Sequence, residues 1–274
     1  MMTKTKIEWT DYSWNPVTGC TKISAGCKNC YAERIAKRFW NRPFEKVWCH
    51  PERLADPSMW KKPKKVFVCS MSDLFHEDVP MDFIADVFDE MICHPRHTFM
   101  VLTKRLRKMQ AFTQWYGYQK TVANHVWLGV SAENQEMADE RIPILLQTPA
   151  AKRFVSVEPM LEKIDLVQAG ALSVYVSGGG VGDFPLSRGL ESNGISWVIC
   201  GAESGHGARP FDMEWARDLK DQCLLASVPF FLKQGRIDGQ LIKMPELDGQ
   251  IWEEYPNIKE VNKEREGYEK NNRD

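Results

Sequence analysis

The sequence has little that would place it in a membrane or on a secretory route. None of its apolar runs approaches the roughly 18 residues that a membrane-spanning helix requires. The basic start, Met1 to Lys6, is followed by no apolar segment, so it does not match a secretory signal. We therefore expect a cytoplasmic protein with no membrane partner.

An excess of charge of one sign is also missing. The 274 residues carry 36 Lys or Arg against 37 Asp or Glu, a formal net charge of −1. The chain lacks the overall excess of basic residues that would indicate nucleic-acid binding, although a local basic patch stays an alternative. Hydrophobic residues make up 43% of the chain, which is enough for a sizeable core and excludes global disorder.

Common nucleotide-binding fingerprints are absent as well. The glycine-rich segment Gly201 to Gly207 has neither G-x-G-x-x-G spacing nor the Gly-Lys-Ser/Thr of a P-loop. Its glycines would let a ligand approach the backbone closely, or they form a tight turn between a strand and a helix. Glu203 and Ser204 in this segment are candidates for contact with a cofactor or a substrate.

Disulfides are not expected in a cytosolic chain of this length, although it has eight cysteines. Buried thiols behave as small apolar groups. Four cysteines lie in apolar or helical patterns and are predicted to pack in the core: Cys69, Cys93, Cys200 and Cys223. Cys49, beside His50, is ambiguous.

Short β-branched runs alternate along the chain with amphipathic helical stretches. After a first strand before Cys20, the predicted strands are 66–71, 98–102, 126–130, 154–157, 197–200 and 229–232. The predicted helices are 31–40, 81–93, 106–116, 134–147 and 213–226. This alternation predicts a parallel α/β sheet, and about seven units favour a partial (β/α)6-7 TIM-like barrel.

Two segments depart from the alternation. The Gly- and Ser-rich stretch 168–195 is predicted to be an insertion or a flexible loop, with a short strand near 174–176. The charged tail 258–274 is predicted to be disordered. Residues 1–257 are therefore interpreted as a single catalytic domain.

Polar residues follow each predicted strand directly. In parallel α/β folds, the carboxyl ends of the strands collect the chemistry at one face, so these residues are expected to line one cavity. The candidates at these positions are Ser72, Asp73, Lys104, Ser131, Glu133, Glu158, Glu203, Ser204 and Lys233.

The remaining three cysteines form the densest chemical motif in the chain. Cys20, Cys27 and Cys30 have the spacing C-x6-C-x2-C. Three thiolates from one loop can hold three irons of a [4Fe–4S] cluster and leave the fourth iron open to a small molecule. Structural zinc normally takes four ligands, and Cys49 or His50 would supply the fourth, so zinc stays an alternative.

A three-cysteine loop after the first strand of a βα array resembles the radical S-adenosylmethionine (SAM) superfamily. The usual spacing there is C-x3-C-x2-C with an aromatic residue before the last cysteine. Here the first gap is six residues, and Tyr31 follows the last cysteine.

More narrowly, the chain resembles a phage- and prophage-encoded radical SAM-like family that often occurs with a three-Cys-motif partner protein. The similar motifs span residues 7–236 and include Trp14 to Cys20, Ser70 to Phe75, Leu102 to Arg105, Ser156 to Met160, and Phe230 to Gln234.

The resemblance implies a [4Fe–4S] cluster, bound SAM and an electron donor such as flavodoxin or ferredoxin. Ser72 and Asp73 would then meet the methionine amine, Lys104 or Arg105 its carboxylate, and Ser131 and Glu133 the ribose. Each of these residues also has a purely structural alternative. Ser72 and Asp73 would cap a helix, residues 104–108 would form a solvated face, and Glu158 would simply follow the end of its strand.

Four further site residues complete these expectations. Glu158 and Ser204 are polar candidates in the cofactor pocket, and Lys233 lies where a substrate would enter. Lys233 and Glu203 are the candidate catalytic residues. The implied activity is reductive cleavage of SAM to a 5′-deoxyadenosyl radical that abstracts hydrogen, with a nucleobase or nucleic acid as substrate. The alternative is a zinc-stabilised protein that binds nucleic acid or a partner without SAM chemistry.

Metal analysis distinguishes the iron–sulfur enzyme from the zinc-stabilised binding protein. We expect protein purified without oxygen to be brown, with about four irons per chain, and a Cys20→Ala/Cys27→Ala/Cys30→Ala variant to lose them. A Cys49→Ala variant is the matched control and should keep the iron. Colourless protein with about one zinc, released by Cys49→Ala, would contradict the iron–sulfur assignment.

Overall fold

The fold is an open, parallel α/β barrel, seen in a computed structural model that describes residues 3–117, 123–177 and 187–256. The strands are β1 Thr3–Lys4, β2 Tyr12–Trp14, β3 Val17–Thr18, β4 Trp48–Cys49, β5 Lys65–Val68, β6 Thr98–Thr103, β7 Val126–Ser131, β8 Lys152–Val157, β9 Leu172–Ser177, β10 Ser187–Ser192, β11 Trp197–Gly201, β12 Phe230–Ile237, β13 Gln240–Lys243, β14 Glu246–Leu247 and β15 Gln250–Ile251. The α-helices are α1 Tyr31–Phe39, α2 Met81–Cys93, α3 Leu106–Trp115, α4 Gln135–Gln147 and α5 Met213–Leu225.

Seven neighbouring strands of the main sheet run parallel, in the order β2-β5-β6-β7-β8-β11-β12. Short antiparallel strands, β1 and β13, extend the two edges. The predicted partial (β/α)6-7 barrel is confirmed. Side chains bring the two edges together, because Lys243 Nζ donates to the Lys6 carbonyl at 3.2 Å and pairs with Glu8 at 2.5 Å.

Helices cross between consecutive parallel strands at every connection except one. Between β8 and β11 the antiparallel hairpin β9–β10 takes the place of a helix. This hairpin falls in the predicted insertion, and β9 contains the short strand expected there. The stretch lacks helical spacing of apolar residues, which explains the exception. Parts of it, 178–186, and the predicted tail lie outside the described residues.

The two faces of the sheet bury different side chains. The outer face packs β-branched residues such as Val66, Val101 and Val198 against the helices. The inner face carries large rings on five of the strands and at Trp9, which precedes β2; the strand rings are Phe67, Trp127, Phe154, Trp197 and Phe231. These rings fill the amino half of the barrel and leave its carboxyl end for smaller and polar residues.

Burial of the core cysteines follows the prediction at three positions of four. Cys69, Cys200 and Cys223 are buried, but the prediction for Cys93 was wrong because its side chain is exposed. Cys93 is the last residue of α2, beyond Met91, which is the last buried residue of that helix. Across the described residues, no helix is long and apolar enough to cross a membrane.

The ring layer generates a stability prediction at Gly129. A Cβ there would lie 2.5 Å from the Phe154 ring, so the ring occupies the space of a side chain. We expect Gly129→Ala to lower the free energy of unfolding by about 1–3 kcal/mol, measured by denaturant titration. The same change in a Phe154→Leu background should cost less. Equal costs in both backgrounds would show that the ring does not constrain Gly129.

Candidate functional site

One cavity opens at the carboxyl ends of the parallel strands. All three clustered cysteines line it, as do eight of the nine predicted strand-tip residues: Ser72, Asp73, Lys104, Ser131, Glu158, Glu203, Ser204 and Lys233. Glu133 is the predicted residue that does not appear among the lining residues. The structure therefore brings the predicted site together, and the contacts of each side chain assign its part.

The cysteine loop leaves the sheet through a constrained glycine. Gly19 has φ +91°, and a Cβ on it would lie 2.3 Å from the Lys46 carbonyl oxygen. Its N–H donates to the Met71 carbonyl at 3.1 Å, and its own carbonyl accepts from Ser72 Oγ at 2.5 Å. Ser72 therefore fixes the direction in which the chain enters Cys20.

Arg105 holds the first cysteine from the tip of β6. Its Nη1 lies 3.5 Å from Cys20 Sγ, and its Nη2 donates to the Thr21 carbonyl at 2.9 Å. Burial, followed by the negative charge of Asp73, raises the pKa of the Cys20 thiol to about 12, although the Arg105 charge opposes this. The guanidinium is thus a direct neighbour of a cavity sulfur.

Asp73 organises this corner of the cavity. Its Oδ1 accepts hydrogen bonds from Thr103 Oγ1 at 2.7 Å and from Phe75 N at 3.0 Å. Its Oδ2 accepts from Lys104 N at 3.1 Å and from Arg105 Nη1 at 3.3 Å. A carboxylate with four donors is well satisfied. Asp73 therefore holds the tip of β6 and the Arg105 side chain in place.

Glu133 supports the middle of the cysteine loop. It is fully buried, and its Oε1 accepts from the Gly26 N–H at 3.0 Å. Its Oε2 accepts from Arg141, which also donates to the Ser131 carbonyl at 2.7 Å. Both carboxylate oxygens are thus used within the protein, Oε1 by the residue before Cys27 and Oε2 by Arg141, and the ribose contact expected of Glu133 stays a prediction.

Glu203 supports the end of the loop. Its Oε2 accepts from Asn29 Nδ2 at 2.8 Å, between Cys27 and Cys30, and Arg209 binds both of its oxygens. Burial raises the pKa of Glu203, but the Arg209 and Asn29 hydrogen bonds outweigh it and bring the pKa down to about 2. Glu203 is therefore ionised and braces Asn29, and the catalytic role predicted for it stays a prediction.

Ser204, the residue after Glu203, is held by a contact with α1. Ser204 Oγ accepts from Arg34 of α1 at 3.3 Å. A Cβ on Gly205 would lie 1.1 Å from the Arg34 guanidinium, so only glycine leaves space for that side chain. The glycines after β11 thus admit an arginine of the protein itself, and Ser204 remains on the cavity wall.

Lys104 differs from these braced groups. Within the described residues, no hydrogen bond or ion pair is seen for its ammonium, yet it lines the cavity. Burial raises the pKa of the Cys27 thiol, but the Lys104 charge and nearby backbone hydrogen bonds more than offset it, so the pKa falls below its usual value. Lys104 is a cation beside a cavity thiol and available to an anionic ligand.

Two hydroxyls on the inner face are also available. Ser131 and Ser156 face each other in the register of β7 and β8, and both line the cavity. Ser156 Oγ is buried without a hydrogen-bond partner in the described protein. The sequence analysis missed Ser156, although it stands two residues before Glu158 and shares its face by strand alternation.

Glu158 and Lys233 form an ion pair inside the barrel. The pair joins the tip of β8 to β12, and the two side chains are 20% and 12% exposed. A Cβ on the intervening Gly201 would come within 3.3 Å of the Glu158 side chain. Glu158 is thus more than a strand exit, because it pairs a charge in the cavity wall with the lysine predicted to meet substrate.

The fourth-ligand candidates for zinc are engaged elsewhere. The two ring nitrogens of His50 contact Thr18 Oγ1 at 2.7 Å and Glu52 Oε1 at 3.0 Å. Cys49 pairs with Val17 through its backbone in the β3–β4 ladder, and its side chain packs against the hydrophobic core. Among the described residues, no three His, Cys, Asp or Glu side chains could together hold one metal ion.

The fold and the cavity define an open parallel α/β barrel with a three-cysteine loop at its carboxyl end. The chain belongs to the family described as "Protein of unknown function (DUF5131)", whose profile matches residues 4–256. No curated protein matched the sequence significantly.

Solved structures with a similar arrangement include those of spore photoproduct lyase. The lyase with bound AdoMet and dinucleoside spore photoproduct has 10% sequence identity and a TM-score of 0.46, covering 98% of this chain and 75% of that one. A second structure, complexed with dinucleoside spore photoproduct, has 11% identity and a TM-score of 0.41 with the same coverage.

The bracing contacts predict how the loop responds to losing Glu203. In cluster-free protein, Glu203→Ala should release Asn29 and speed the alkylation of Cys27 and Cys30 relative to Cys69, measured by mass spectrometry. Glu52→Ala removes an exposed carboxylate outside the cavity and is the control. Unchanged alkylation rates in Glu203→Ala would contradict the bracing role.

The lowered pKa of Glu203 gives a second expectation. A depressed carboxyl pKa stabilises the fold above the unfolded value of 4.5, and this contribution is lost as the pH falls towards about 2. The difference in unfolding free energy between wild type and Glu203→Gln should therefore shrink across that window. A constant difference would show that ionisation of Glu203 contributes nothing.

Proposed function

We propose that this protein is a radical SAM enzyme. The observation that carries the proposal is that Cys20, Cys27 and Cys30, free thiols from one braced loop, line a single cavity at the carboxyl end of the barrel. Three cysteines suit a [4Fe–4S] cluster with one open iron, since each thiolate binds a different iron. When bound, the cluster and SAM supply a 5′-deoxyadenosyl radical that abstracts hydrogen from a substrate.

Lys104 is the residue best suited to the methionine carboxylate of SAM. Its ammonium has no hydrogen-bond or ion-pair partner seen in the described protein, and, against the effect of burial, its charge lowers the pKa values of both Cys27 and Glu133. Arg105, the other candidate, already contacts Asp73, Glu77 and Thr21. A charge-assisted contact to a carboxylate therefore falls to Lys104.

Ser131 and Ser156 are suited to the hydroxyls of a ribose. Both hydroxyls stand on the inner face above the ring layer, and Ser156 Oγ is buried without a partner. Leaving a buried hydroxyl without a hydrogen bond costs about 1–3 kcal/mol, which a polar ligand would recover. Ser72 and Asp73 then act indirectly, because they hold the loop and the β6 tip.

Glu158 and Lys233 are suited to the substrate end of the cavity. The pair can present an ammonium donor and a carboxylate acceptor to a polar ring while remaining charge-neutral. The layer of aromatic side chains below it closes the barrel floor and excludes water, which protects a reactive intermediate. We infer a nucleobase or nucleic acid as substrate, and an electron donor such as flavodoxin or ferredoxin as partner.

Turnover of SAM tests this proposal. The reduced, iron-loaded protein should release 5′-deoxyadenosine from SAM, measured by chromatography. Lys104→Gln should raise the KM for SAM by about tenfold or more, because a charge-assisted contact is lost, and Lys104→Arg should recover part of it. Arg107→Gln, on the exposed side of α3, is the matched control. Absence of 5′-deoxyadenosine from iron-loaded wild type would overturn the proposal.

A further inference from the structure

A second groove lies beside the cavity. It runs along the open edge of the barrel, and Ile7, Tyr31 and Ser70 line both the groove and the cavity. The two spaces therefore share a wall. A ligand in the groove would lie next to the cysteine loop.

The groove is lined by cations without a carboxylate. Lys6, Arg42 and Arg53 contribute charged groups, and His50 lies between them along the chain. Residues 35–53 supply six of the lining residues, and the charged side chains among them, Arg42 and Arg53, are both basic. Glu52 lies beside the groove, 3.6 Å from Arg53, and offsets part of that charge. The balance still favours an anionic ligand.

Aromatic rings stand among these cations. The Arg42 guanidinium lies 4.4 Å from the Trp40 ring centroid and 5.3 Å from that of Trp48. Lys46 Nζ lies 5.1 Å from the Trp48 centroid. Trp40 lines the groove, and Trp48, which is 44% exposed, presents its ring to solvent beside Arg42. Cations that alternate with exposed rings are typical of surfaces that bind unpaired nucleic acid.

Arg42 is pre-positioned for a phosphate. Its Nη1 donates to the Lys46 carbonyl and its Nη2 to Thr18 Oγ1, both at 2.6 Å. These two bonds fix the plane of the guanidinium and leave its other N–H groups for a ligand. Because no carboxylate is seen to pair with Arg42 in the described residues, an incoming anion would not have to displace one.

We propose that this groove binds an unpaired stretch of nucleic acid, with phosphates on its cations and bases on Trp40 in the groove wall and on Trp48 beside Arg42. One base would reach the cavity through the wall at Tyr31. A base must leave its stack before chemistry on it, and the shared wall suits an unpaired base. The delivery step rests on the proposed function, whereas binding in the groove does not.

Binding of labelled oligonucleotides to the iron-loaded full chain, followed by fluorescence anisotropy, tests the inference. Lys6→Gln/Lys46→Gln is the main variant, because neither ammonium has a hydrogen-bond partner seen in the described residues and the fold should tolerate the change. We expect it to bind single strands about tenfold more weakly, with a slope of log affinity against log salt shallower by about 1.4.

The matched control is Lys61→Gln/Lys62→Gln, which removes two exposed lysines just before β5, at the other end of the barrel. It should bind within about twofold of wild type. Trp48→Ala should weaken single-strand binding by about fivefold or more, and duplex binding by less. Two results would overturn the inference. One is an equal loss of binding in the two lysine-pair variants, and the other is an affinity for duplex and for polyglutamate equal to that for single strands.

The same variants separate this inference from the proposed function. Formation of 5′-deoxyadenosine without nucleic acid reports on the cavity alone. If SAM is cleaved but Lys6→Gln/Lys46→Gln binds single strands as wild type does, the groove inference fails alone. If SAM is not cleaved but the variant loses binding selectively, the radical proposal fails and the groove remains a nucleic-acid site.

Discussion

The site depends on how an irregular loop is held over the end of a barrel. The segment from Gly19 to Cys30 has little regular structure to fix its backbone, so its position comes from side chains on the strand tips. Arg105 holds the first cysteine, Glu133 the residue before the second, and Glu203 the residue before the third. Each of the three is itself tied by ion pairs, and a buried charge with a partner resists displacement because removing one partner is costly. The polar residues of the cavity thus divide into groups that hold the loop and groups that remain free for a ligand.

The barrel supplies the floor on which this arrangement stands. Large rings crowd the amino half of the inner face, and Gly129 yields its side-chain volume to Phe154. Above them the inner positions change to serines and to the Glu158–Lys233 pair. A parallel barrel with this gradient places polar chemistry at one end only, and the absence of backbone pairing between the described edges leaves the neighbouring groove open to the side.

Periodicity explains what the sequence could predict. Helix α2 begins and ends where its apolar spacing begins and ends, and the parallel strands follow from β-branched runs buried on both faces. The same logic located the cavity, because strand ends in a parallel sheet share one edge. The roles of individual residues in the cavity could not be predicted from periodicity. Glu133 and Glu203 share the residue type of ligand-binding carboxylates, and only the distant partners Gly26, Arg141, Asn29 and Arg209 distinguish a brace from a ligand contact. Strand alternation could have predicted that Ser156 shares the cavity face with Glu158. The exposure of Cys93, in contrast, depends on where its helix leaves the core.

The central claim is that the three braced thiols hold a cluster whose open iron faces the cavity. Electron paramagnetic resonance of the reduced, iron-loaded protein, recorded with and without SAM, tests it most directly. The account predicts a [4Fe–4S]⁺ signal that changes when SAM is added, because SAM binds the iron that lacks a cysteine. A signal that SAM leaves unaltered, or iron that remains bound when Cys20, Cys27 and Cys30 are replaced, would contradict it.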